Sequence, residues 1–593
     1  MNRILPLWIG SLAFALSLGC DPGTSIPESE QDKVIGTAAK QCQKSDVRVG
    51  DECVAIPQIR LNTVGYLVGQ VKRATVLAVE GVDAFQVIDT ATQQSAFDGV
   101  LSPATTNEDT ADTTRIADFS PLKTPGTYIL KVDGLVDSPP FSISENVYDE
   151  PLRVTMLGLY GLRCGVAVEL EHQGQVFKHA PCHLHDGQRA GQERDGTGGW
   201  HDAGDYGKYT INAAFALAFT LKAWEDFGQG LATVQHIPNY DGALPAWLAE
   251  SKFQLDQILK MQFSDGSVSH MLGPYNATGP ASFPASIMPE NDTYTRAFSD
   301  ASTPATASFA AVAAIGARVF RSYDAAYADR CLAAAQQAQA YLDQNSAYQM
   351  PALRQNFTHD AYASRSDTDD KFWALAELWR TTGDSALLAR VEATDMTDVA
   401  TNFDWEGVKN MGVYSYLQAT SDARSPALVE QAKAAVLKAA DRLVTTTEKH
   451  AYGHGIGATY YWGSNGVVAR TSITLFLANA LEPDEKYRNT VVQQIDYLLG
   501  RNPLGRSFLT GVGHLPALNP PHRPSQADRI KPPWPGLLVG GPNAQPGDDP
   551  VLSRVSGLAP GAMWLDDAGS YAGNEIAINW NTALVYALAG FHK

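Results

Sequence analysis

The spacing of apolar residues changes near residue 147 of the chain. Before that point, short runs alternate apolar and polar residues between Gly, Asp and Pro, a pattern typical of β-strands joined by turns. The clearest runs are Ala74–Val79, Phe85–Ile88, Gly126–Val132 and Phe141–Ile143. Their spacing predicts a small antiparallel β-sandwich over residues 56–145.

From residue 147 onward, apolar residues recur every three or four positions, as they do on one face of an amphipathic helix. The predicted helices are Leu152–Cys164, Thr210–Phe227, Leu244–Met261, Thr303–Phe320, Ala325–Leu342, Lys371–Thr381, Ser425–Leu443, Val468–Leu481, Tyr487–Leu499 and Glu575–Phe591. With shorter helices between Leu387 and Leu417, the count is about twelve. The Gly- and Pro-rich stretch 505–569 is too long for a simple connection, so we expect it to line a binding cleft. Periodicity alone does not select one α-rich fold.

The N-terminus predicts export. Arg3 precedes an apolar run from Ile4 to Leu18, which is typical of a signal peptide over residues 1–19. Because Leu16-Ser-Leu-Gly-Cys20 resembles a bacterial lipobox, we expect Cys20 to carry a lipid that anchors the protein to the cell envelope. Ordinary secretion is the alternative.

Residues 20–55 are polar and rich in Pro, Gly and Ser, which predicts a tether. An oxidising compartment favours a disulfide between Cys42 and Cys53 within it. The chain has 45 Lys and Arg against 64 Asp and Glu, a net charge of -19, which argues against a nucleic-acid partner. Composition does not exclude a neutral polysaccharide substrate.

Two carboxyl residues lie in a Gly- and aromatic-rich segment near the C-terminus. Asp566 and Glu575 fall within Trp564–Thr582, directly before the last predicted helix. Aromatic rings can bind the apolar face of a sugar while a carboxylic acid protonates the leaving oxygen, so the segment favours glycoside hydrolysis. The alternative is an ordinary helix N-terminus with acidic residues in its first turn.

A second segment, Gly198–Tyr209, carries Asp202 and Asp205 among glycines and aromatic residues. Glycines let the backbone bend so that both acids can face one cleft. The spacing does not match a regular calcium loop, which has a distal Glu at a fixed position. One aspartate pair and one distant glutamate suffice for an inverting glycosidase, in which a base activates water and an acid protonates the leaving group.

Both segments resemble the active-site signatures of family 9 glycoside hydrolases, the cellulase family of inverting endoglucanases. Asp566, Tyr571 and Glu575 have the spacing of the family pattern. Three further segments of the chain resemble family elements: Asn502–Gly513, Pro520–Ser525 and Tyr460–Asn465. The chain departs from the family at Pro521, where relatives usually have the first His of Pro-His-His-Arg.

The resemblance extends over residues 56–593. It implies an immunoglobulin-like β-sandwich over residues 56–145, followed by an all-α (α/α)6 barrel catalytic domain over residues 147–593. It also implies an exported inverting β-1,4-glucan hydrolase. We expect the sandwich to pack against the barrel and stabilise it.

The resemblance implies specific roles for the carboxyl residues. Asp205 is expected to be the general base, Asp202 to orient the base or the water, and Glu575 to be the general acid. Since a helix N-terminus would favour ionised Glu575, burial and the charge of Asp566 are expected to raise its pKa. The expected sugar contacts are His522, Arg523, Tyr571 and Trp462.

Two alternative functions stay open. An exo-acting relative, such as a cellobiosidase, β-glucosidase or exo-glucosaminidase, would share the scaffold, and Pro521 is compatible with it. Analysis of products from short oligosaccharides discriminates the two modes. A non-catalytic glycan-binding surface lipoprotein is the other class, which the intact acid and base residues oppose.

Four residues are candidate ligands of a structural zinc ion: Cys164, Cys182, His183 and His201. A Cys164–Cys182 disulfide with two unrelated histidines is the alternative that export favours. Relatives with an N-terminal immunoglobulin-like domain carry zinc at matching positions, which favours zinc. Calcium occurs in the family, but no ligands are assigned. We expect a monomer without an organic cofactor, in which Cys331 is a buried apolar residue.

Overall fold

The computed structural model describes residues 46–593. The predicted signal peptide, the predicted lipidation site Cys20 and the predicted disulfide partner Cys42 lie outside the described residues. Cys53 is disulfide-bonded, and its partner also lies outside them. The predicted tether is wrong at its C-terminal end, because residues 46–55 form an antiparallel hairpin of β1 (Asp46–Val49) and β2 (Glu52–Ala55). Their apolar and polar residues alternate as a strand requires.

The region before residue 147 is a two-sheet β domain, as predicted. The strands are β3 (Ile59–Arg60), β4 (Gly65–Leu67), β5 (Arg73–Leu77), β6 (Ala84–Asp89), β7 (Ser95–Val100), β8 (Thr105–Asn107), β9 (Asp112–Asp118), β10 (Gly126–Lys131) and β11 (Phe141–Ser144). One sheet has the order β4-β11-β10-β6-β7 and the other β3-β5-β9-β8. Tyr66 lies edge-on to Phe119 and Phe141, with ring centroids 5.1 and 5.5 Å apart, and fixes the core between the sheets.

The rest of the described chain is mainly helical. The helices are α1 (Asp149–Gly161), α2 (Thr210–Phe227), α3 (Ala246–Lys260), α4 (Thr303–Phe320), α5 (Ala325–Gln344), α6 (Thr368–Thr382), α7 (Ser385–Glu392), α8 (Lys409–Gln418), α9 (Pro426–Lys449), α10 (Ser464–Leu481), α11 (Glu485–Leu498), α12 (Arg523–Ala527), α13 (Tyr571–Asn574) and α14 (Ile578–Ala589). Short strands lie between them: β12 (Val168–His172), β13 (Gln175–His179), β14 (Gln188–Arg189), β15 (Gln192–Glu193), β16 (Lys208–Tyr209), β17 (Met271–Pro274) and β18 (Arg296–Phe298).

Helices α10, α14, α2, α4, α6 and α8 pack against one another in succession. A hydrogen bond of 2.6 Å between the hydroxyls of Tyr414 and Thr474 joins α8 to α10. Helix α4 begins at a Ser302 side chain that accepts the Ala305 N–H, which is a preferred N-cap. This helix is apolar enough to cross a membrane, but 94% of it is buried, as expected for a core helix.

The β domain and the helical region share a polar, largely buried interface. Asn62 Nδ2 donates to Asp496 Oδ1 at 2.8 Å, and the Thr63 N–H donates to the Leu499 carbonyl at 3.0 Å. Arg73 forms an ion pair of 2.7 Å with Glu448. Because the contacts of Asn62 and Thr63 satisfy buried groups of both regions, they support the predicted stabilising role of the β domain.

Candidate active site

A backbone pairing joins the two predicted acid segments. Ala203 and Ala577 form an antiparallel β-bridge, and the Ile578 N–H donates to the Asp202 carbonyl at 2.9 Å. The Asp202–Asp205 turn therefore lies beside Glu575, although the two segments are far apart in sequence.

A third segment crosses this turn at Gly204. A Cβ atom at this position would lie 1.8 Å from the Pro521 carbonyl oxygen, so the close approach requires glycine. The Arg523 N–H donates to the Gly204 carbonyl at 3.2 Å. The departure at Pro521 thus lies directly against the candidate catalytic residues.

Asp205 has one occupied and one open carboxylate oxygen. Its Oδ2 accepts a hydrogen bond of 2.7 Å from the Tyr209 hydroxyl. Its Oδ1 is buried and has no hydrogen-bond partner among the described residues. An oriented carboxylate with a free acceptor atom suits a base that takes a proton from water.

Both oxygens of Asp202 are occupied. The Asn212 amide donates to Oδ1 at 2.8 Å, and the Tyr362 hydroxyl donates to Oδ2 at 2.6 Å. Burial, with a smaller contribution from the charge of Asp205, raises the pKa of Asp202 to about 8, although the hydrogen bonds from Tyr362 and Asn212 oppose this shift. Tyr362 has φ of 53°, an unusual conformation for a non-glycine residue that occurs at functional sites.

Glu575 lies in surroundings that favour its protonated form. Burial raises its pKa to about 8, with further contributions from the charges of Asp205 and Asp202, while Arg523 and the Gly204 N–H lower it. The prediction that a helix begins at Glu575 is wrong: residues Ile576 and Ala577 form β-bridges, and α14 begins at Ile578. The helix N-terminus therefore does not hold Glu575 in its ionised form.

Asp566 holds a neighbouring loop in place. Its two carboxylate oxygens accept the N–H groups of Leu518 and Asn519 at 2.8 and 2.7 Å, and Arg506 lies 3.4 Å from it. The side chain is fully buried. The expectation that Asp566 raises the pKa of Glu575 is not met, since the carboxylates that do so are Asp205 and Asp202.

Among the predicted sugar contacts, Trp462 and Tyr571 form a pair with ring centroids 5.6 Å apart. Trp462 is 46% exposed, so its ring is accessible. The Arg523 guanidinium carbon lies 5.8 Å from the centroid of the Tyr206 ring. Its positive charge lowers the pKa of Glu575. These residues can contact a bound sugar.

The structure places His522, a predicted sugar contact, in the protein interior. Its side chain is 2% exposed, and Nδ1 lies 2.9 Å from the Ser525 hydroxyl. The ring packs edge-on against Trp534. Burial lowers the pKa of His522 to about 3, so it is a neutral interior residue.

The predicted metal ligands meet in one cluster, where they could hold a metal ion. The Sγ atoms of Cys164 and Cys182 are 3.9 Å apart, and His183 Nδ1 lies 3.4 Å from His201 Nε2. His183 Nδ1 is 3.5 Å from Cys164 Sγ, and His201 Nε2 is 3.9 Å from Cys182 Sγ. Tetrahedral zinc with its usual bond lengths would separate such ligand atoms by about 3.3–3.8 Å, so the donor set fits.

Two further observations support a metal rather than the alternative disulfide. Both cysteines are free thiols. His183 Nε2 lies 3.2 Å from Asp292 Oδ2, and a metal-bound histidine commonly donates its second N–H to a carboxylate. The His201 backbone leads directly into Asp202, so this cluster braces the turn that carries both aspartates.

A second buried group, Asp109, His450 and His454, lies where the β domain meets the helices. His450 Nδ1 accepts the Tyr452 N–H at 3.2 Å, which leaves its proton on Nε2, 2.9 Å from Asp109. A metal-bound Nε2 would require the proton on Nδ1 instead. This group is therefore a hydrogen-bond network between the two regions.

Two important contacts were not predicted. Tyr209 follows Asp205 by four residues in the same aromatic-rich motif, so the sequence carried a weak signal for it. Tyr362 reaches Asp202 from a loop 160 residues away, and no local pattern marks it.

Comparison with protein families gives two matches. Residues 148–588 match the model of glycosyl hydrolase family 9, and residues 55–137 match that of the cellulase N-terminal ig-like domain. Endoglucanase D of Acetivibrio thermocellus is 40% identical over an alignment of 554 residues that covers 90% of this chain and 83% of the relative. The cellodextrinase of Butyrivibrio fibrisolvens is 34% identical. The alignment covers 90% of this chain and 99% of the cellodextrinase.

Solved structures agree in fold. The family 9 endoglucanase J30 superposes with a TM-score of 0.83 at 32% identity, over 89% of this chain and 99% of J30. A Zn-binding triple mutant of J30 gives the same values.

Proposed function

The chain belongs to glycosyl hydrolase family 9, and we propose that it hydrolyses β-1,4-glucans with inversion at the anomeric carbon. Glu575 protonates the glycosidic oxygen as the bond breaks, and Asp205 Oδ1 takes a proton from the attacking water. The observation that carries this assignment is the contrast between the two groups: Asp205 has an open acceptor atom, whereas Glu575 has its pKa raised to about 8. An acid that keeps its proton and a base with a free acceptor atom are what inverting acid–base catalysis requires.

Asp202 and Asp566 have supporting roles in this proposal. Asp202 has both oxygens occupied, so it orients the turn rather than accepting a proton from water. Asp566 fixes the Leu518–Asn519 backbone, which leads to Pro521 and Arg523. Arg523, Trp462 and Tyr571 are the proposed sugar contacts.

Relatives support a β-1,4-glucan substrate, since they include endoglucanase D and a cellodextrinase. Endo-action is the first proposal, because the relative with 40% identity is an endoglucanase. Exo-action on short oligosaccharides is the second, and the cellodextrinase favours it.

The stereochemistry of the first product tests the proposal. With Glu575 and Asp205 on opposite sides of the bond, hydrolysis of a soluble β-1,4-glucan should first release the α-anomer, visible by proton NMR before mutarotation. The carboxyl groups should then be about 6.5–9.5 Å apart in a substrate complex. Initial release of the β-anomer would contradict the roles given to both residues.

We also propose that the six helices that pack in succession, together with six outer ones, form an (α/α)6 barrel. Export is proposed from the Arg3 and Ile4–Leu18 segment, and the disulfide at Cys53 supports an oxidising compartment. We further propose that Cys20 carries a lipid that anchors the exported protein.

The ion proposed for the cysteine and histidine cluster is zinc, held by Cys164, Cys182, His183 and His201. Zinc would act there structurally, by tying the turn of Asp202 and Asp205 to the preceding loop.

Elemental analysis of purified variants tests the zinc site. Cys182→Ser should lose the bound zinc, lower the unfolding temperature by several degrees and reduce activity, because ligand loss couples metal release to unfolding of the local loops. Cys331→Ser is the matched control, since Cys331 is also a buried free thiol but lies outside the cluster. Equal zinc content in wild type and Cys182→Ser would exclude the site.

A further inference from the structure

An extended loop lies against the candidate active site. Residues 275–295, here called the Phe283 loop, connect β17 to β18, and the Tyr275 N–H closes its base by donating to the Thr295 carbonyl at 2.8 Å. An ordinary hairpin connection has about two to five residues, so this loop is much longer. Loops of such length commonly carry function.

Both the tip and the base of this loop are held in place. The contacts are from the Tyr206 hydroxyl to the Ile287 carbonyl, from Arg523 Nε to the Pro284 carbonyl at 3.2 Å, and from His183 Nε2 to Asp292 Oδ2 at 3.2 Å. Tyr206 follows Asp205 directly, and His183 belongs to the metal-binding cluster. The loop is therefore fixed relative to the candidate catalytic residues before substrate binds.

The loop presents an exposed aromatic ring beside two residues that neighbour the base and the acid. Phe283 is 49% exposed, and its ring centroid lies 5.0 Å from that of His359 and 5.9 Å from the Arg523 guanidinium carbon. The His359 ring packs against Tyr209, which donates to Asp205. The positive charge of Arg523 lowers the pKa of Glu575. The Phe283 ring thus lies between the neighbours of the two catalytic groups.

We propose that Phe283 is a sugar-binding residue that stacks on the apolar face of a glucosyl unit next to the reacting bond. This role rests on the proposed function. The electron-rich face of an aromatic ring attracts the C–H groups of a pyranose, and a ring already held in position binds with little loss of conformational freedom. Phe283 therefore influences which bond of an oligosaccharide is cleaved.

Kinetics on cello-oligosaccharides with a labelled reducing end test this role. Phe283→Ala should lower kcat/KM by about tenfold, mainly through a higher KM, because stacking contributes to binding of substrate and transition state alike. It should also change the distribution of cleaved bonds, since one sugar position loses its platform. Phe283→Trp should restore both values towards wild type.

Tyr323→Ala provides a matched control. Tyr323 is 44% exposed and its ring packs on Trp224, so this variant removes a comparable ring without touching the site. Wild-type kinetics and cleavage positions in Phe283→Ala, with wild type active, would overturn the role of Phe283. A uniform loss of rate with unchanged cleavage positions and a lower unfolding temperature would also overturn it. Failure of the wild type to cleave any β-1,4-linked oligosaccharide would overturn the proposed function and this role with it.

Discussion

Replacement of Glu575 by Gln should reduce hydrolysis of cello-oligosaccharides by about 10²–10⁴-fold, because the amide keeps the shape of the side chain but cannot supply a proton. The effect should depend on the leaving group. An activated aryl glycoside, if accepted, leaves without acid assistance and should lose much less rate. Comparing kcat/KM for the two substrates measures the contribution of the proton itself.

The pH dependence of the same variant supplies a second readout. Because the pKa of Glu575 is raised to about 8, the wild type should retain the catalytic proton below that pH and lose kcat/KM as pH rises through it. Glu575→Gln, measured on the aryl glycoside, should lack this alkaline decline.

Glu482→Gln makes the same chemical change at an exposed position that follows the C-terminal end of α10. It should leave the rate and pH profile unchanged. Equal loss on both substrates for Glu575→Gln would assign the acid to another residue.

The two acid-bearing segments that the structure brings together could be predicted from sequence, because their signals are local. Glycines and aromatic residues surround Asp202, Asp205 and Glu575 within short segments. The residue types of each segment can therefore be read without knowledge of the tertiary fold. The helical periodicity likewise predicted most of the long helices, since burial of one face produces it directly.

Properties that depend on distant contacts could not be predicted in this way. Periodicity extended the last helix to Glu575, but Ile576 and Ala577 instead pair with Val539 and Ala203, and this pairing ends the helical conformation at Ile578. Such pairing partners leave no trace in the local sequence.

Orientation was equally hidden for His522 and Asp566. A motif gives the identity of a residue but not the direction of its side chain, so both were expected to act on the substrate or on Glu575. His522 is buried against Trp534. The carboxylate oxygens of Asp566 accept hydrogen bonds from backbone N–H groups. Tyr362 was missed for the converse reason, because only the tertiary fold brings it to Asp202.

Removal of the base should affect every substrate. Asp205→Asn should lower the rate on cello-oligosaccharides and on an aryl glycoside alike by about 10²–10⁴-fold, because both reactions need an activated water. Asp202→Asn should lose less, since Asp202 positions the turn through Asn212 and Tyr362 and does not bind the water's proton. The two aspartates are thus matched controls for each other.

Azide distinguishes a missing base from a damaged site. In Asp205→Ala, azide can occupy the space of the activated water and attack without deprotonation, while Glu575 still protonates the leaving oxygen. Activity should recover and the product should be the α-glycosyl azide, because attack occurs on the face that water uses in the wild type. Asp202→Ala should show no such recovery. Rescue of Asp202→Ala instead, with Asp205→Asn close to wild type, would exchange the roles of the two aspartates and make the open oxygen of Asp205 incidental.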